Sequence, residues 1–190
     1  MKEKYNARAR EIGSLVCVGL DSDVAKMPKR FRTMPEPQFE FNKYIIGETH
    51  EYAAAYKPNA AFYEARGDQG IRELKKTMEY LQSEYPSICT ILDAKRGDIG
   101  NTNGGYISSI FDWLGFDAVT LHPYMGRESL QPFLDRADKT SIILCRTSNP
   151  GSGEFQDLLL DGVPLWLHVA QSVAREWNAH GNCMLVVGAT

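Results

Sequence analysis

Short apolar runs alternate with longer amphipathic ones along this chain, and this alternation limits the possible folds more than any other feature. The short runs are rich in Val, Ile, Leu and Cys and lie at 15–20, 53–56, 88–92, 118–121, 141–145 and 184–187. Runs that stay apolar at consecutive positions suit strands buried on both faces, as in parallel sheets. We therefore predict six parallel strands.

Helical spacing fills the intervals between these strands. Ile71, Leu74, Met78 and Leu81 step by three and four, and Tyr85-Pro86 ends that run. Similar patterns predict further helices at 106–114, 130–137, 166–177 and 39–52, with a short leading one carrying Tyr5, Ala9 and Ile12. Strands that alternate with helices predict an α/β fold.

Polar residues at the predicted strand ends favour a closed barrel over an open doubly wound sheet. They are Asp21, Lys57, Asp93, Lys95, His122 and Ser148. In a (β/α)8 or TIM barrel, the carboxyl ends of the strands surround one mouth, where catalytic groups from several strands converge. An open sheet places its site at one switch point, usually after a glycine-rich first turn, and the first turn here, LDSDVAK, has no glycine. The prediction is an α/β (β/α)8 barrel.

The number of units suggests that the barrel is partial. We find about six of the eight βα units, whereas a whole barrel takes roughly 250 residues. A six-stranded remnant would leave two unpaired edges. We therefore expect residues 1–190 to form a single barrel domain that is C-terminally incomplete, about three-quarters of a longer protein. The segment 147–162 is rich in turn residues and is predicted to be a long, mobile functional loop.

Composition narrows the class of protein further. The chain has 21 Lys+Arg and 24 Asp+Glu, a net charge of −3, which argues against a nucleic-acid partner. No apolar run approaches the roughly 18 residues of a membrane span, and the charged start does not resemble a secretory signal. The cysteines are isolated in apolar runs, so we expect buried, reduced thiols in a cytoplasmic protein; they are Cys17, Cys89, Cys145 and Cys183. Metal-ligand spacing is absent from the sequence, so no metal site is predicted.

The segment LDAKRGDIGNT carries the most chemical information. Asp93 and Lys95 are two apart at a strand end, so a period of two puts both on one face, the barrel interior. A lysine flanked by carboxylates keeps its proton and is able to deliver it to a carbanion. A carboxylate fixed beside a substrate carboxylate raises the ground-state energy, and loss of carbon dioxide relieves it. The alternative interpretation is a solvated, charged turn.

Three further positions extend this pattern. Asp98 follows in the loop, and Asn101 or Thr102 is expected to cap the next helix. Lys57 ends the second strand and needs an anionic partner, for which Asp21 at the end of the first strand is suitable if the two strands are neighbours. A simple strand-to-helix turn at Lys57 is the alternative.

Six segments make the chain resemble orotidine 5'-phosphate decarboxylase, in particular the bacterial subgroup with a long loop after strand five. They are VCVGLDSD (16–23), YKPNAAFYEARG (56–67), LDAKRGDIGNT (92–102), LHPYMG (121–126), TSNPGSGEFQ (147–156) and LVVGAT (185–190). The resemblance covers the whole chain in order, and its third segment is the most specific. It implies decarboxylation of orotidine 5'-monophosphate to uridine 5'-monophosphate (UMP) in de novo pyrimidine synthesis. It also implies a homodimer with shared active sites and no metal or organic cofactor.

The resemblance also implies residue roles. Lys95 is the proton donor to C6 of the pyrimidine, and Asp93 faces the substrate carboxylate. Asp98 completes a charged tetrad with Lys57 and reaches the partner's site. The remaining implied substrate contacts are Asp21 and Lys57 at the ribose, Ile99 and Thr102 in the partner's site, and Ser148 at the pyrimidine edge.

Two departures and two alternatives accompany this assignment. His122 stands where the family pattern has asparagine, and we interpret it as a core-edge histidine rather than a catalytic one. The family's phosphate-binding loop and arginine are expected beyond Thr190, and a chain without them is expected to be impaired. The alternatives are a magnesium-dependent sugar-phosphate decarboxylase or synthase on the same barrel, and an inactive fragment or part of a bifunctional synthase. The segments YKPNAAFYE and TSNPG favour the nucleotide enzyme.

Overall fold

Parallel strands followed by helices dominate the computed structural model, which describes residues 1–188. These residues divide into two units, one of residues 1–94 and 113–117, the other of residues 95–112 and those from 118 onward. The single-domain assignment over 1–190 stays a prediction, and the last two residues of the segment LVVGAT lie outside the described residues.

The first unit contains three parallel strands and five helices among its described residues. In chain order they are α1 (Lys2–Ile12), β1 (Cys17–Gly19), α2 (Lys29–Arg32), α3 (Pro37–Thr49), β2 (Ala55–Lys57), α4 (Ala60–Glu64), α5 (Gly67–Glu84) and β3 (Cys89–Arg96), whose last two residues belong to the second unit. β1 pairs with β2, placing Gly19 opposite Lys57, and β2 pairs with β3, placing Tyr56 opposite Thr90. The three strands predicted in this part of the chain are confirmed.

The helix α5 shows why the spacing argument works. Its buried apolar residues Leu74, Met78 and Leu81 lie on one face, as their steps of three and four predict. The helix ends at Glu84, because the residue before Pro86 is sterically driven out of the helical region. The short helix α4 was not predicted, although Asn59 caps it by accepting the Ala61 N–H at 3.1 Å.

The second unit contains the other three predicted strands. Its elements are α6 (Gly100–Ile107) with a π-helical continuation (Ser108–Trp113), β4 (Ala118–Leu121), α7 (Gly126–Leu134), β5 (Thr140–Arg146), α8 (Gly153–Gln156), β6 (Leu159–Leu160), β7 (Val163–Pro164), α9 (Leu165–Ser172) with a π-helical continuation (Val173–Trp177), and β8 (Cys183–Val187). β4 pairs in parallel with β5, and β5 with β8, so that Ile143 lies between Leu121 and Leu185.

The predicted loop at 147–162 is in fact partly ordered into secondary structure. It holds α8 and most of the antiparallel hairpin β6–β7. Asp161 and Gly162 form the turn, with φ angles of 51° and 78°. Positive φ at both central residues is what a type I′ two-residue hairpin turn requires, and Asp-Gly is a preferred pair for it. The prediction of one long loop was wrong because the Asp-Gly turn pairs the residues on either side of it into a hairpin.

Two other predictions need correction. The cap of α6 is Ile99, without a side-chain cap, and Asn101 and Thr102 lie inside the helix because it begins at Gly100. Cys89 and Cys145 are buried as expected, but Cys17 is exposed and Cys183 is half-buried. The expectation of a strand covered on both faces is wrong for β1, whose three residues are exposed, half-buried and exposed. All four thiols are free.

Within residues 1–188, every helix is too short or too polar to cross a bilayer.

Candidate functional site

Two of the predicted site residues are in contact, Lys57 at the end of β2 and Asp93 within β3. Lys57 Nζ donates to Asp93 Oδ2 at 3.2 Å, and their side chains are 32% and 13% exposed. The Asp93 N–H donates to the Pro58 carbonyl at 2.9 Å. Because this backbone bond fixes Asp93 beside the residue that follows Lys57, the ion pair forms at the carboxyl edge of the sheet in the first unit.

Asp21 lies at the same edge but is not part of that ion pair. β1 and β2 are neighbours, as the Asp21–Lys57 hypothesis requires, and the Leu20 N–H donates to the Lys57 carbonyl at 3.1 Å. Within residues 1–188, no hydrogen bond or ion pair joins the Asp21 carboxylate to the Lys57 ammonium. Asp21 is exposed and lines an open surface pocket together with Asp23, Lys26, Met27, Phe41 and Phe62.

A buried polar cluster holds the backbone on both sides of Asp21. Asn42 Nδ2 donates to the Tyr63 hydroxyl at 2.9 Å and to Thr77 Oγ1 at 3.0 Å, and Asn42 Oδ1 accepts from the Ser22 hydroxyl. The Tyr63 hydroxyl in turn donates to the Leu20 carbonyl at 2.8 Å. Burial raises the pKa of Tyr63 well above its ordinary value, so the phenol keeps the proton it donates. These bonds fix residues 20 and 22 and therefore the direction in which Asp21 leaves the strand.

A buried carboxylate continues this cluster. Glu73 is 1% exposed, and its Oε2 accepts the N–H groups of Gln38 at 2.6 Å and Phe39 at 3.0 Å, at the start of α3. Its Oε1 accepts from Arg66 Nη1 at 2.6 Å. The helix N-terminus and the guanidinium together compensate the buried charge. Gln38 Nε2 donates to the Ser22 carbonyl at 2.8 Å, so this ion pair is linked to the Asp21 segment.

Lys95, in the second unit, has an unusual backbone. Its φ is 48°, in the left-handed region that non-glycine residues rarely adopt. The only other such residue among 1–188 is Asp161, which the hairpin turn explains. The period-two argument for Asp93 and Lys95 assumes an extended backbone at both positions, and the backbone of Lys95 departs from it. That the two side chains share one face stays a prediction. Lys95 is exposed, and its N–H donates to Thr120 Oγ1 at 3.0 Å.

Asp98 is oriented by a buried asparagine that the sequence analysis did not identify. Asn103 Oδ1 accepts the Asp98 N–H at 3.1 Å, and Asn103 Nδ2 donates to the carbonyls of Asp98 at 2.6 Å and Ser129 at 2.5 Å. Asp98 Oδ1 accepts the Ile99 N–H at 2.7 Å. Ile99 and Thr102 are exposed on the same segment.

Ser148 follows β5 and is exposed. The Gly188 N–H donates to the Arg146 carbonyl at 2.7 Å, and a Cβ at Gly188 would lie 3.0 Å from Ser148 Cβ, so a side chain has little room there. Arg146 Nη2 pairs with Asp157 at 3.0 Å, and Gln156 Oε1 accepts the Thr147 N–H at 2.8 Å. These bonds fix the start of the segment that carries Ser148.

His122 follows β4 and is half-buried, with Nε2 2.8 Å from the Gly97 carbonyl. This contact agrees with the interpretation of a core-edge histidine. Concerning metals, no group of three or more His, Cys, Asp or Glu side chains among the described residues is arranged to hold an ion.

Comparison with known proteins points to one family in both the family model and the individual relatives. Residues 14–189 match the model of the family described as orotidine 5'-phosphate decarboxylase / HUMPS. Two similar relatives are the orotidine 5'-phosphate decarboxylases of Herpetosiphon aurantiacus and Christiangramia forsetii. The first is 52% identical and the match covers 99% of this chain and 70% of the relative. The second is 50% identical, with 93% and 65% covered, so the chain spans slightly less than two thirds of that relative.

Solved structures that resemble this chain point to the same family. The Leishmania donovani UMP synthase matches with a TM-score of 0.89 at 43% identity, covering 100% of this chain and 40% of that chain. The Leishmania donovani OMP decarboxylase matches with a TM-score of 0.87 at 42% identity, covering 99% and 70%. These likenesses confirm the fold class predicted from the sequence, an α/β (β/α)8 barrel with about six of its eight units in this chain.

Proposed function

The chain belongs to the orotidine 5'-phosphate decarboxylase / HUMPS family, and from this membership we propose that it converts orotidine 5'-monophosphate to UMP and carbon dioxide. The observation that carries the proposal is the 52% identity to a decarboxylase over 99% of the chain. The magnesium-dependent sugar-phosphate enzyme on the same barrel is not favoured, because the similar relatives are named as the nucleotide decarboxylase.

The proposed reaction breaks the bond between C6 and the carboxylate. The electron pair stays on C6, carbon dioxide leaves, and the Lys95 ammonium delivers a proton to the carbanion. Since a vinylic carbanion has no electron sink, its stabilisation depends on charges that are already in place. Asp93 is proposed to face the substrate carboxylate, and its 3.2 Å ion pair with Lys57 supports this role by fixing its direction. Asp98 completes the proposed tetrad.

The other roles concern substrate and partner. Asp21 and Lys57 are proposed to bind the ribose hydroxyls, and Ser148 the pyrimidine edge. The exposure of Ile99 and Thr102 supports a homodimer in which they and Asp98 serve the partner's site. We propose a cytoplasmic enzyme without metal, organic cofactor, nucleic-acid or membrane partner. Four free thiols support a reducing compartment.

The direct test follows the loss of orotate absorbance and the release of carbon dioxide with orotidine 5'-monophosphate as substrate. We expect turnover that a chelator such as EDTA leaves unchanged, because the charges are supplied by lysines and aspartates. Turnover of a sugar-phosphate acid that EDTA abolishes, with none on the nucleotide, would establish the alternative instead.

The ion pair between Lys57 and Asp93 gives a second prediction. Asp93→Asn is expected to lower kcat roughly 100-fold or more while the Kd for orotidine 5'-monophosphate stays the same or falls. The reason is that the variant removes both the partner of Lys57 and the repulsion of the substrate carboxylate. Stopped-assay kinetics and calorimetric titration measure the two quantities.

The control for this variant is Asp68→Asn, which breaks an exposed ion pair with Arg72 on α5. Exposed pairs contribute little to stability, so both kcat and Kd should match the unmodified protein. A large rise in Kd with unchanged kcat in Asp93→Asn would assign Asp93 to binding rather than to the chemical step.

A further inference from the structure

The segment that carries the proposed proton donor needs an external restraint. Lys95 has a φ of 48°, a backbone conformation that is unfavourable for a non-glycine residue and persists only where the surrounding structure enforces it. Lys95 is also exposed, so burial of its side chain does not supply the restraint. Hydrogen bonds to the backbone of residues 95–97 supply a restraint of this kind.

The end of β4 contacts three successive residues of this segment. Thr120 Oγ1 accepts the Lys95 N–H at 3.0 Å, and the His122 N–H donates to the Arg96 carbonyl at 2.9 Å. His122 Nε2 lies 2.8 Å from the Gly97 carbonyl oxygen. Since a carbonyl oxygen only accepts, the hydrogen of this bond is on Nε2. His122 thus holds two of the three residues, once through its backbone and once through its ring.

The imidazole ring also fits against Gly97 sterically. A Cβ added at Gly97 would lie 2.6 Å from His122 Nε2 and 2.8 Å from Cε1, closer than carbon atoms approach in proteins. The ring therefore packs directly on the Gly97 backbone. This contact and the hydrogen bond fix the same peptide, two residues after Lys95.

We propose that His122 is a positioning residue for Lys95. Its side chain holds the Gly97 peptide, and with Thr120 it keeps the backbone of residues 95–97 in the conformation from which the Lys95 side chain extends. The proposal rests on the proposed role of Lys95 as proton donor. It assigns His122 no contact with the substrate, and it explains why the loop tolerates a left-handed lysine.

A matched pair of variants tests the proposal. In His122→Gln, the amide nitrogen is as many bonds from Cβ as Nε2 is in histidine, so the donor is retained, whereas His122→Leu removes it at similar volume. We expect kcat to fall 10- to 100-fold in the leucine variant with KM within about twofold, because misplaced catalytic groups affect the chemical step. The glutamine variant should recover most of the loss. Equal kcat in the two variants, whether high or low, would overturn the proposal.

Two controls separate positioning from folding. His180→Leu removes an exposed histidine after the last helix and should match the unmodified protein in kcat. If His122→Leu does not fold, as judged by circular dichroism, Thr120→Val replaces it, because valine keeps the shape and removes the acceptor of the Lys95 N–H. The valine variant should lower kcat in the same way, and an unchanged kcat would contradict the proposal.

A measurement without substrate distinguishes failure of this proposal from failure of the proposed function. Amide hydrogen exchange at Lys95 should accelerate in His122→Leu but not in His122→Gln, since only the leucine variant loosens the segment. If the protein does not act on orotidine 5'-monophosphate, the proposed function is wrong and exchange alone decides the positioning role. Unchanged exchange at Lys95 in the leucine variant would overturn that role even in an active enzyme.

Discussion

Lys95→Ala is expected to reduce decarboxylation by several orders of magnitude and to leave the fold unchanged. General-acid catalysis contributes roughly 10²–10⁴-fold, and Lys95 is also the proposed positive charge next to the developing carbanion, so its loss removes two effects together. The fold should persist because the Lys95 side chain is exposed and the bond to Thr120 uses its backbone N–H, which alanine retains.

Carbon dioxide release under single-turnover conditions measures the effect, since product release does not limit the rate there. Circular dichroism and amide exchange check the fold. Lys29→Ala on the short helix α2 removes one exposed lysine outside the proposed site and is the control. Turnover within a few-fold of the unmodified protein would exclude Lys95 as the proton donor and leave the barrel assignment intact.

The strands and helices of this fold could be predicted from the sequence, because one physical rule governs each kind of element. Strands covered on both faces stay apolar at consecutive positions, as Ala118 and Val119 in β4 illustrate. The buried apolar residues of α5 recur at helical spacing. The hairpin at Asp161-Gly162 was equally readable from its turn residues.

The buried hydrogen bonds that support the site could not be predicted from the sequence, because the residues that form them are far apart in the chain. Ser22, Asn42, Tyr63 and Thr77 meet in one buried cluster although up to 55 positions separate them, and each alone resembles a surface residue. The left-handed backbone of Lys95 is equally hidden, since lysine does not favour it. Local patterns report which face is apolar, whereas a hydrogen-bond partner from another element is known only once the elements are packed.

The roles of the site residues could be predicted only in part, less well than the strands and helices but better than the buried hydrogen-bond partners. Spacing placed Asp21, Lys57 and Asp93 at strand ends, and the structure joins the last two at 3.2 Å. Which carboxylate faces a substrate and which lysine gives up a proton came from family resemblance, and these roles stay predictions. The geometry adds the restraints on Asp21, Lys95 and Asp98 that such roles require.

Gly70→Ala is expected to destabilise the protein strongly, although the same change usually stabilises a helix. Gly70 lies in the first turns of α5, and a Cβ there would be 2.0 Å from the Tyr63 carbonyl oxygen and 2.8 Å from its carbonyl carbon. Both atoms belong to the backbone of α4, so the clash is relieved only if one helix moves. We expect the free energy of unfolding to fall by about 3 kcal/mol or more, measured by urea denaturation.

Gly47→Ala provides the matched control, because Gly47 lies within α3 with no atom within 4 Å of the added Cβ. There alanine should raise the free energy of unfolding by about 0.5–1 kcal/mol, the ordinary helix-propensity gain. If the free energy of unfolding falls in Gly70→Ala and rises in Gly47→Ala, the loss is due to the backbone contact and not to helix propensity. A rise in both variants would show that α4 and α5 adjust freely. The contact also matters beyond stability, since Tyr63 holds the Leu20 carbonyl next to Asp21. A displaced α4 should therefore loosen the proposed ribose contact along with the fold.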